Sequence, residues 1–413
     1  MAFLIRGLYT LLALLLVGPV CLYVRRHPNF AGTLRLRLSM KLPGPHEGDL
    51  IWFHGASLGE VKAAAGLIEA IKARRPSVRI CLSSMTATGR QAASKIKAVD
   101  MILPMPFDLP WIMRRYFERL KPKALVIVET EIWPNMLAQA QKAGVKTLFV
   151  NARLSEKAFS RYRLIKPLLV RLLEKARVLA IAETDAARFE ALGARSVQVY
   201  GNLKFDALAS VDPARAGRVR ATLGCGERPV FIAGSVREGE ERSVMDAVMT
   251  ARLKIPALFA VIAPRHPQSI PILTDMAKAA GIPWGLRSKK SQAVDLLIID
   301  TMGELFDLYG ASQAAFVGGS LVPLGGQNIL EPLAWGVPTI HGPHMENFLW
   351  AMDVVKGYTI VVEDGAALGQ AIGAVLASPD EYAPRSQAAR QALAKAQGAT
   401  ARYLAAILDE PQA

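Results

Sequence analysis

Residues 8–24 are almost wholly apolar, with Thr10 the one clearly polar member. A run of about 17 residues is the short end of a membrane-spanning helix. Arg6 precedes it, Arg25 and Arg26 follow it, and Gly18-Pro19 marks a kink. No small-x-small cleavage site follows, which favours an uncleaved anchor over a signal peptide. Beyond the anchor the pattern changes. Short apolar runs suited to buried strands occupy residues 50–53, 80–83, 101–103, 124–128, 147–150, 178–181 and 197–200. A second series occupies 230–233, 258–262, 296–299, 314–317, 339–340 and 358–362. Segments of helical period lie between them, including one that begins at Glu60 and one over 111–120. An alanine-rich helix is expected over 386–408. Strands alternating with helices predict an α/β protein with parallel, doubly wound sheets. The expected domains are an anchor at 1–26, two similar α/β domains at 27–205 and 206–385, and a C-terminal helix within 386–413.

Polar residues collect where strands end, the position at which open α/β sheets bind ligands. The loop HGASLGE (54–60) follows the first strand and delivers Glu60 to a helix start. Such a carboxylate either takes a proton from an attacking hydroxyl or complements the helix dipole. ETEIWPN (129–135) presents Glu129 and Glu131, expected on one face of the strand and in need of a cation. Lys204, in GNLKFD (201–206), is a candidate partner or a solvated loop lysine. In the second half, APRHP (263–267) offers Arg265 and His266 between prolines. The stretch 314–335 reads as strand, glycine-rich loop and helix start. Free N–H groups there make an anion site; a plain tight turn is the alternative. Glu331, just inside the helix, suits ribose hydroxyls better than phosphate.

Charge narrows the partners. The chain has 413 residues, 52% of them hydrophobic, and a formal net charge of +15. Basic excess calls for an anionic partner: nucleic acid, anionic lipid or a phosphorylated substrate. No nucleic-acid motif accompanies it. Arg25, Arg26, Arg35, Arg37 and Lys41 crowd the stretch after the anchor, so the main body is expected on the cytoplasmic side. Basic residues from Arg161 to Arg177, with leucines between them, suit either an anionic lipid surface or an ordinary amphipathic helix. The three cysteines lie far apart, which predicts no disulfide framework. No HExxH, DxD, GxxxxGK[ST] or GxGxxG pattern occurs, so neither a metal site nor a cofactor is expected.

Taken in order, HGASLGE, ETEIWPN, NARLS (151–155), GNLKFD, the AGS-x-x-EGEE stretch (233–241), APRHP, DTMGEL (300–305), FVGGSLVPLGGQN-x-LEP (316–332) and GPHMENF (342–348) resemble the 3-deoxy-D-manno-octulosonic acid (Kdo) transferase family. The resemblance implies the GT-B architecture, two Rossmann-like domains facing across a cleft. It implies an inverting, metal-independent transfer of Kdo from CMP-Kdo to a phosphorylated lipid A precursor at the inner membrane. Glu60 matches the family's general base. Glu131, with Glu129 beside it, and Lys204 match groups that support the transition state. Pro264, Arg265, Met302, Gly303, Glu304, Asn328, Ile329, Leu330 and Glu331 match the CMP-binding segments. The family often has histidine where this chain has Gln327, and proline where it has Ile329. Gln327 forms hydrogen bonds but carries no proton at neutral pH. The rival readings are another nucleotide-sugar transferase or epimerase, and a catalytically silent nucleotide-sugar-binding subunit.

Overall fold

The computed structural model describes residues 2–26, 32–44, 46–206, 208, 211–289 and 294–409. The chain divides into two compact units, residues 1–207 with 397–413 and residues 208–396.

The first unit holds a seven-stranded sheet. Its strands are β1 (Leu50–His54), β2 (Arg79–Ser84), β3 (Met101–Pro104), β4 (Ala124–Val128), β5 (Lys146–Ala152), β6 (Ala176–Ala180) and β7 (Ser196–Val199). They pair in parallel in the order β3-β2-β1-β4-β5-β6-β7. Every residue of β1 and β4 is buried, because helices cover both faces. Side chains alternate, so Leu50 and Trp52 pack with Tyr116 and Phe117, while Ile51 and Phe53 pack with Leu67 and Ile68. Each such burial contributes about 1.5–3 kcal/mol. Chain order reverses between β1 and β4, which makes their carboxyl ends the switch point of the sheet.

The second unit repeats the plan with β8 (Val230–Val236), β9 (Phe259–Pro264), β10 (Trp284–Leu286), β11 (Leu296–Ile298), β12 (Ala314–Val317), β13 (Thr339–His341) and β14 (Ile360–Val361). The order is β10-β11-β9-β8-β12-β13-β14, again all parallel, with the switch point between β8 and β12. The three-residue edge strand β10 has no counterpart among the apolar runs. The expected tail helix is two helices, Pro379–Ala396 and Ala399–Leu408. Gly398, at φ 88°, turns the chain between them. The second helix returns to the first unit, where Tyr403 and Ile407 join Leu67 and Ile68.

The N-terminal helix Ala2–Arg26 is docked on the first unit along one stripe. Ile5, Ala13 and Val17 pack against its core, and the Tyr9 hydroxyl donates to Asp108 Oδ2 at 3.0 Å. These positions recur every fourth residue. Phe3, Leu4, Leu8, Leu11, Leu12, Leu15 and Leu16 face away and are exposed. The basic stretch from Arg161 is not a single helix. It ends Glu156–Arg163, runs through Lys166–Leu173 and enters β6 with Arg177. In the helix Pro110–Leu120, Tyr116 and Phe117 belong to the core, leaving Trp111 as its exposed aromatic.

Candidate active site

In the first unit, the loop after β1 and the loop after β4 leave the switch point side by side. Ser57 is the N-cap of the helix Leu58–Arg74. Its hydroxyl accepts from Glu60 N at 3.4 Å and donates to Glu60 Oε1 at 2.8 Å. Ala56 N donates to Glu60 Oε2 at 2.6 Å. This is a capping-box arrangement, so the helix-start reading of Glu60 holds. Its electrostatics go further than a cap requires. Burial pushes the Glu60 carboxyl up to about 7; the bonds from Ser57 and Ala56 oppose the shift, and Glu131 and Glu129 add to it. A carboxyl group that titrates near neutrality suits proton transfer.

Glu129 and Glu131 are not strand residues, contrary to the expectation of a shared strand face. β4 ends at Val128, and Glu129 adopts φ 61°, a left-handed conformation that turns the chain at once. Glu131 accepts from Trp133 Nε1 at 2.9 Å, and burial raises its carboxyl pKa, opposed by that bond and reinforced by Glu129. Lys204 Nζ lies 3.4 Å from Glu129 Oε1, so the expected cation is present. Its helix, Leu203–Asp206, is fixed by Asn151, whose Oδ1 accepts from Leu203 N at 2.9 Å. That bond gives the NARLS segment a structural task. Tyr162 OH donates to Thr130 O at 3.4 Å and braces the acid loop. The structure thus brings Glu60, Glu129, Glu131 and Lys204 together.

Asp108 carries no sequence signal that would include it. It is buried and accepts from Asn135 N (2.9 Å), Met136 N (2.7 Å) and Tyr9 OH. The helix Pro134–Lys142 has no side-chain bond from its own N-cap, Trp133. Asp108 performs that task from 27 positions upstream, tying the N-terminal helix to the end of the acid loop.

In the second unit, the glycine-rich loop after β12 differs from expectation. Its N–H groups already have an anion. Glu240, fully buried, accepts from Gly319 N (2.6 Å), Ser320 N (2.9 Å) and Leu321 N (2.9 Å), as well as from Arg237 N (2.9 Å). The following helix, Leu330–Ala334, has only five residues and a correspondingly small dipole. The anion site assigned to this loop is therefore filled by the protein's own carboxylate over Gly319 to Leu321.

A separate cavity of about 140 Å³ lies at the carboxyl ends of β8, β9 and β11. Ser235, Pro264, Arg265, Thr301, Met302 and Gly303 are among its lining residues. Pro264, Arg265, Met302 and Gly303 thus meet in one pocket; Glu304 adjoins it, with its carboxylate paired to Arg287 at 3.0 Å. Asn328, Ile329, Leu330 and Glu331 do not line it. Ile329 and Leu330 side chains are buried in the core, leaving backbone atoms for any ligand. Asn328 Nδ2 donates to Glu331 Oε1 at 2.9 Å. Burial raises the Glu331 carboxyl pKa, opposed by Asn328 and by the Arg265 charge, so this segment lies within electrostatic reach of the pocket. Ser235 joins the pocket at φ 55°, which no local sequence pattern announces.

Known proteins agree with this organisation. Residues 33–207 match the family model described as 3-deoxy-D-manno-octulosonic-acid transferase (kdotransferase). The chain is 34% identical to the 3-deoxy-D-manno-octulosonic acid transferase of Bordetella pertussis, over 98% of this chain and 99% of that protein. It is 32% identical to the transferase of the same name from Haemophilus influenzae, over 86% and 85%. Among solved structures, the UDP-GlcNAc 2-epimerase of Neisseria meningitidis bound to UDP-GlcNAc matches with a TM-score of 0.57. That match has 13% identity over 88% of this chain and 100% of the other, a likeness of fold. With its paired seven-stranded parallel sheets of GT-B type, the chain belongs to the 3-deoxy-D-manno-octulosonic acid transferase family of glycosyltransferases.

Proposed function

We propose that this chain transfers Kdo from CMP-Kdo to a phosphorylated, acylated glucosamine disaccharide, the lipid A precursor lipid IVA, during lipopolysaccharide synthesis. Glu60 takes the proton of the acceptor hydroxyl. The oxygen so freed attacks the anomeric carbon of Kdo from the side opposite the phosphate, and the configuration inverts. The bond from that carbon to the phosphate oxygen breaks, and its electron pair leaves on CMP. Lys204 offsets the charge of Glu129 beside the base, and Glu131 completes the acid pair. The pocket at Arg265, with Pro264, Met302, Gly303 and the backbone of Asn328 to Glu331, holds the CMP portion. Arg265 stabilises the phosphate as charge develops on it.

The observation that carries this reading is the Glu60 carboxyl raised to about 7 at a sheet switch point beside two further acids. A helix cap alone gains nothing from that placement. The leucine-lined outer face of Ala2–Arg26 supports membrane association, and the docked inner stripe favours a helix lying at the membrane surface. The guanidinium of Arg171 stacks 4.9 Å from the Phe3 ring, so basic side chains flank that face and suit anionic lipid phosphates. The basic flank supports a position on the cytoplasmic face of the inner membrane.

Replacing Glu60 by Gln tests the assignment. The variant is expected to bind CMP as the wild type does and to lose at least about a hundredfold in CMP release on addition of lipid acceptor. A near-normal rate would remove Glu60 from the role of base.

A further inference from the structure

We propose that Arg237 is a second phosphate ligand, its guanidinium binding the anionic group of the nucleotide at the switch point of the second sheet. The inference rests on the donor assignment above and adds a residue to it.

Arg237 is the first residue after β8, and chain order reverses between β8 and β12. The crevice outside those two carboxyl ends is the favoured ligand position in an open parallel sheet. The glycine-rich loop is pressed onto it. A Cβ at Gly318 would stand 2.4 Å from Ser235 O and 2.6 Å from Val236 Cα. A Cβ at Gly319 would meet Arg237 Cγ at 3.1 Å and Gln327 Cγ at 3.4 Å. The arginine stem therefore crosses Gly319 beside Gln327.

What the guanidinium lacks is a partner. Arg237 Nε is buried and has no hydrogen bond. Among the described residues no carboxylate stands within ion-pair distance of it. Glu240, on the same turn, directs its oxygens to four backbone N–H groups instead. Other arginines of this unit are matched: Arg228 and Arg252 to Asp295, and Arg287 to Glu304. A buried donor left without an acceptor is costly, and a planar five-donor cation is the side chain best fitted to phosphate oxygens. Gln327, next to it, adds a neutral amide and no competing charge.

Arg265 is the neighbour of Arg237 in the backbone. Arg265 N donates to Val236 O at 2.8 Å, so the two arginines leave adjacent strands side by side in the backbone. Only Arg265 lines the cavity described above. The phosphodiester of a CMP-linked sugar carries one negative charge, and the CMP that departs carries close to two at neutral pH. A pair of arginines favours the more charged species, and so assists departure.

The test is calorimetric binding of CMP and of cytidine to the full-length, detergent-solubilised protein. Wild type, Arg237→Ala and Arg237→Lys are compared, with melting curves to confirm folding. Loss of a charge-assisted phosphate contact is expected to weaken CMP binding by roughly 10- to 100-fold in Arg237→Ala. Cytidine binding should stay within about twofold, and Arg237→Lys, which keeps the charge and the stem, should fall between. Unchanged CMP affinity in Arg237→Ala would overturn the proposal, as would equal losses for CMP and cytidine, which mark a structural role. Should UMP bind in place of CMP with the same dependence on Arg237, the phosphate ligand stands and the CMP donor falls. Wild-type protein that binds no nucleoside monophosphate overturns both.

Discussion

Glu240→Ala removes the acceptor shared by four backbone N–H groups, and its cost can be worked from the contacts. Gly319 N, Ser320 N, Leu321 N and Arg237 N lie 2.6–2.9 Å from the Glu240 oxygens, and the side chain has no exposure to solvent. An orphaned buried donor costs about 1–3 kcal/mol. Four of them give a range of roughly 4–12 kcal/mol, and a water admitted to the vacated space would accept from at most two of the donors and bring the loss toward the low end. A loss of about 4 kcal/mol is a large part of the 5–15 kcal/mol that holds a typical domain folded. Glu240→Gln keeps one oxygen and sets an amide N–H against the remaining donors, so about half that loss is expected. Urea denaturation gives the stability, and hydrogen exchange gives the cause. In the wild type the amides of Gly319, Ser320 and Leu321 should be protected to the level of the β12 core; in the alanine variant they should exchange as an open loop. A loss below about 1 kcal/mol with these amides still protected would refute the claim that Glu240 holds the loop.

Turnover should follow the ionised fraction of Glu60. With its carboxyl raised to about 7, the rate is expected to climb from pH 5 through 7 and level off above 8. The sign for stability is opposite: the folded state retains the proton that the unfolded chain gives up, so stability from this group is full below the ordinary carboxyl pKa and is lost as pH rises through about 7. A flat pH–rate profile for the chemical step contradicts this. Lys204→Met leaves Glu129 uncompensated beside the base and should move the rising limb to higher pH, which the same pH series measures. Serine at Leu8, Leu12 and Leu15, all exposed on the N-terminal helix, should release protein from sedimented membranes while leaving the melting temperature within a few degrees, because none is on the docked stripe. Tyr9→Phe does the reverse: it should cost about 1 kcal/mol of stability with membrane binding retained.

The core strands were legible because each is a continuous apolar run bounded by loop residues, as in β1 and β4, which are buried on both faces. The edge strand β10 was not, since three residues after a proline carry no period. Glu60 could be read as base or as cap; the structure shows the cap, set where the sheet order reverses, and base is the role proposed for it there. The sequence displayed Glu240 and the Gly318-Gly319 loop, yet 79 residues separate the bonded pair, and only the pairing of β8 with β12 joins them. Asp108 was hidden for the same reason: its partners Tyr9 and Asn135 lie on distant segments. Tyr116 and Phe117 stand beside arginines in the sequence, but on a helix they share the core stripe with Ile112 and Met113.

The most direct measurement is mass spectrometry of the lipid recovered after purified protein is incubated with CMP-Kdo and tetra-acylated lipid A precursor, with EDTA present. A mass gain in whole Kdo units, matched by release of CMP and absent with Glu60→Gln, is the predicted result. Unmodified lipid after incubation with folded wild-type protein that still binds CMP would contradict the assignment of lipid IVA as acceptor.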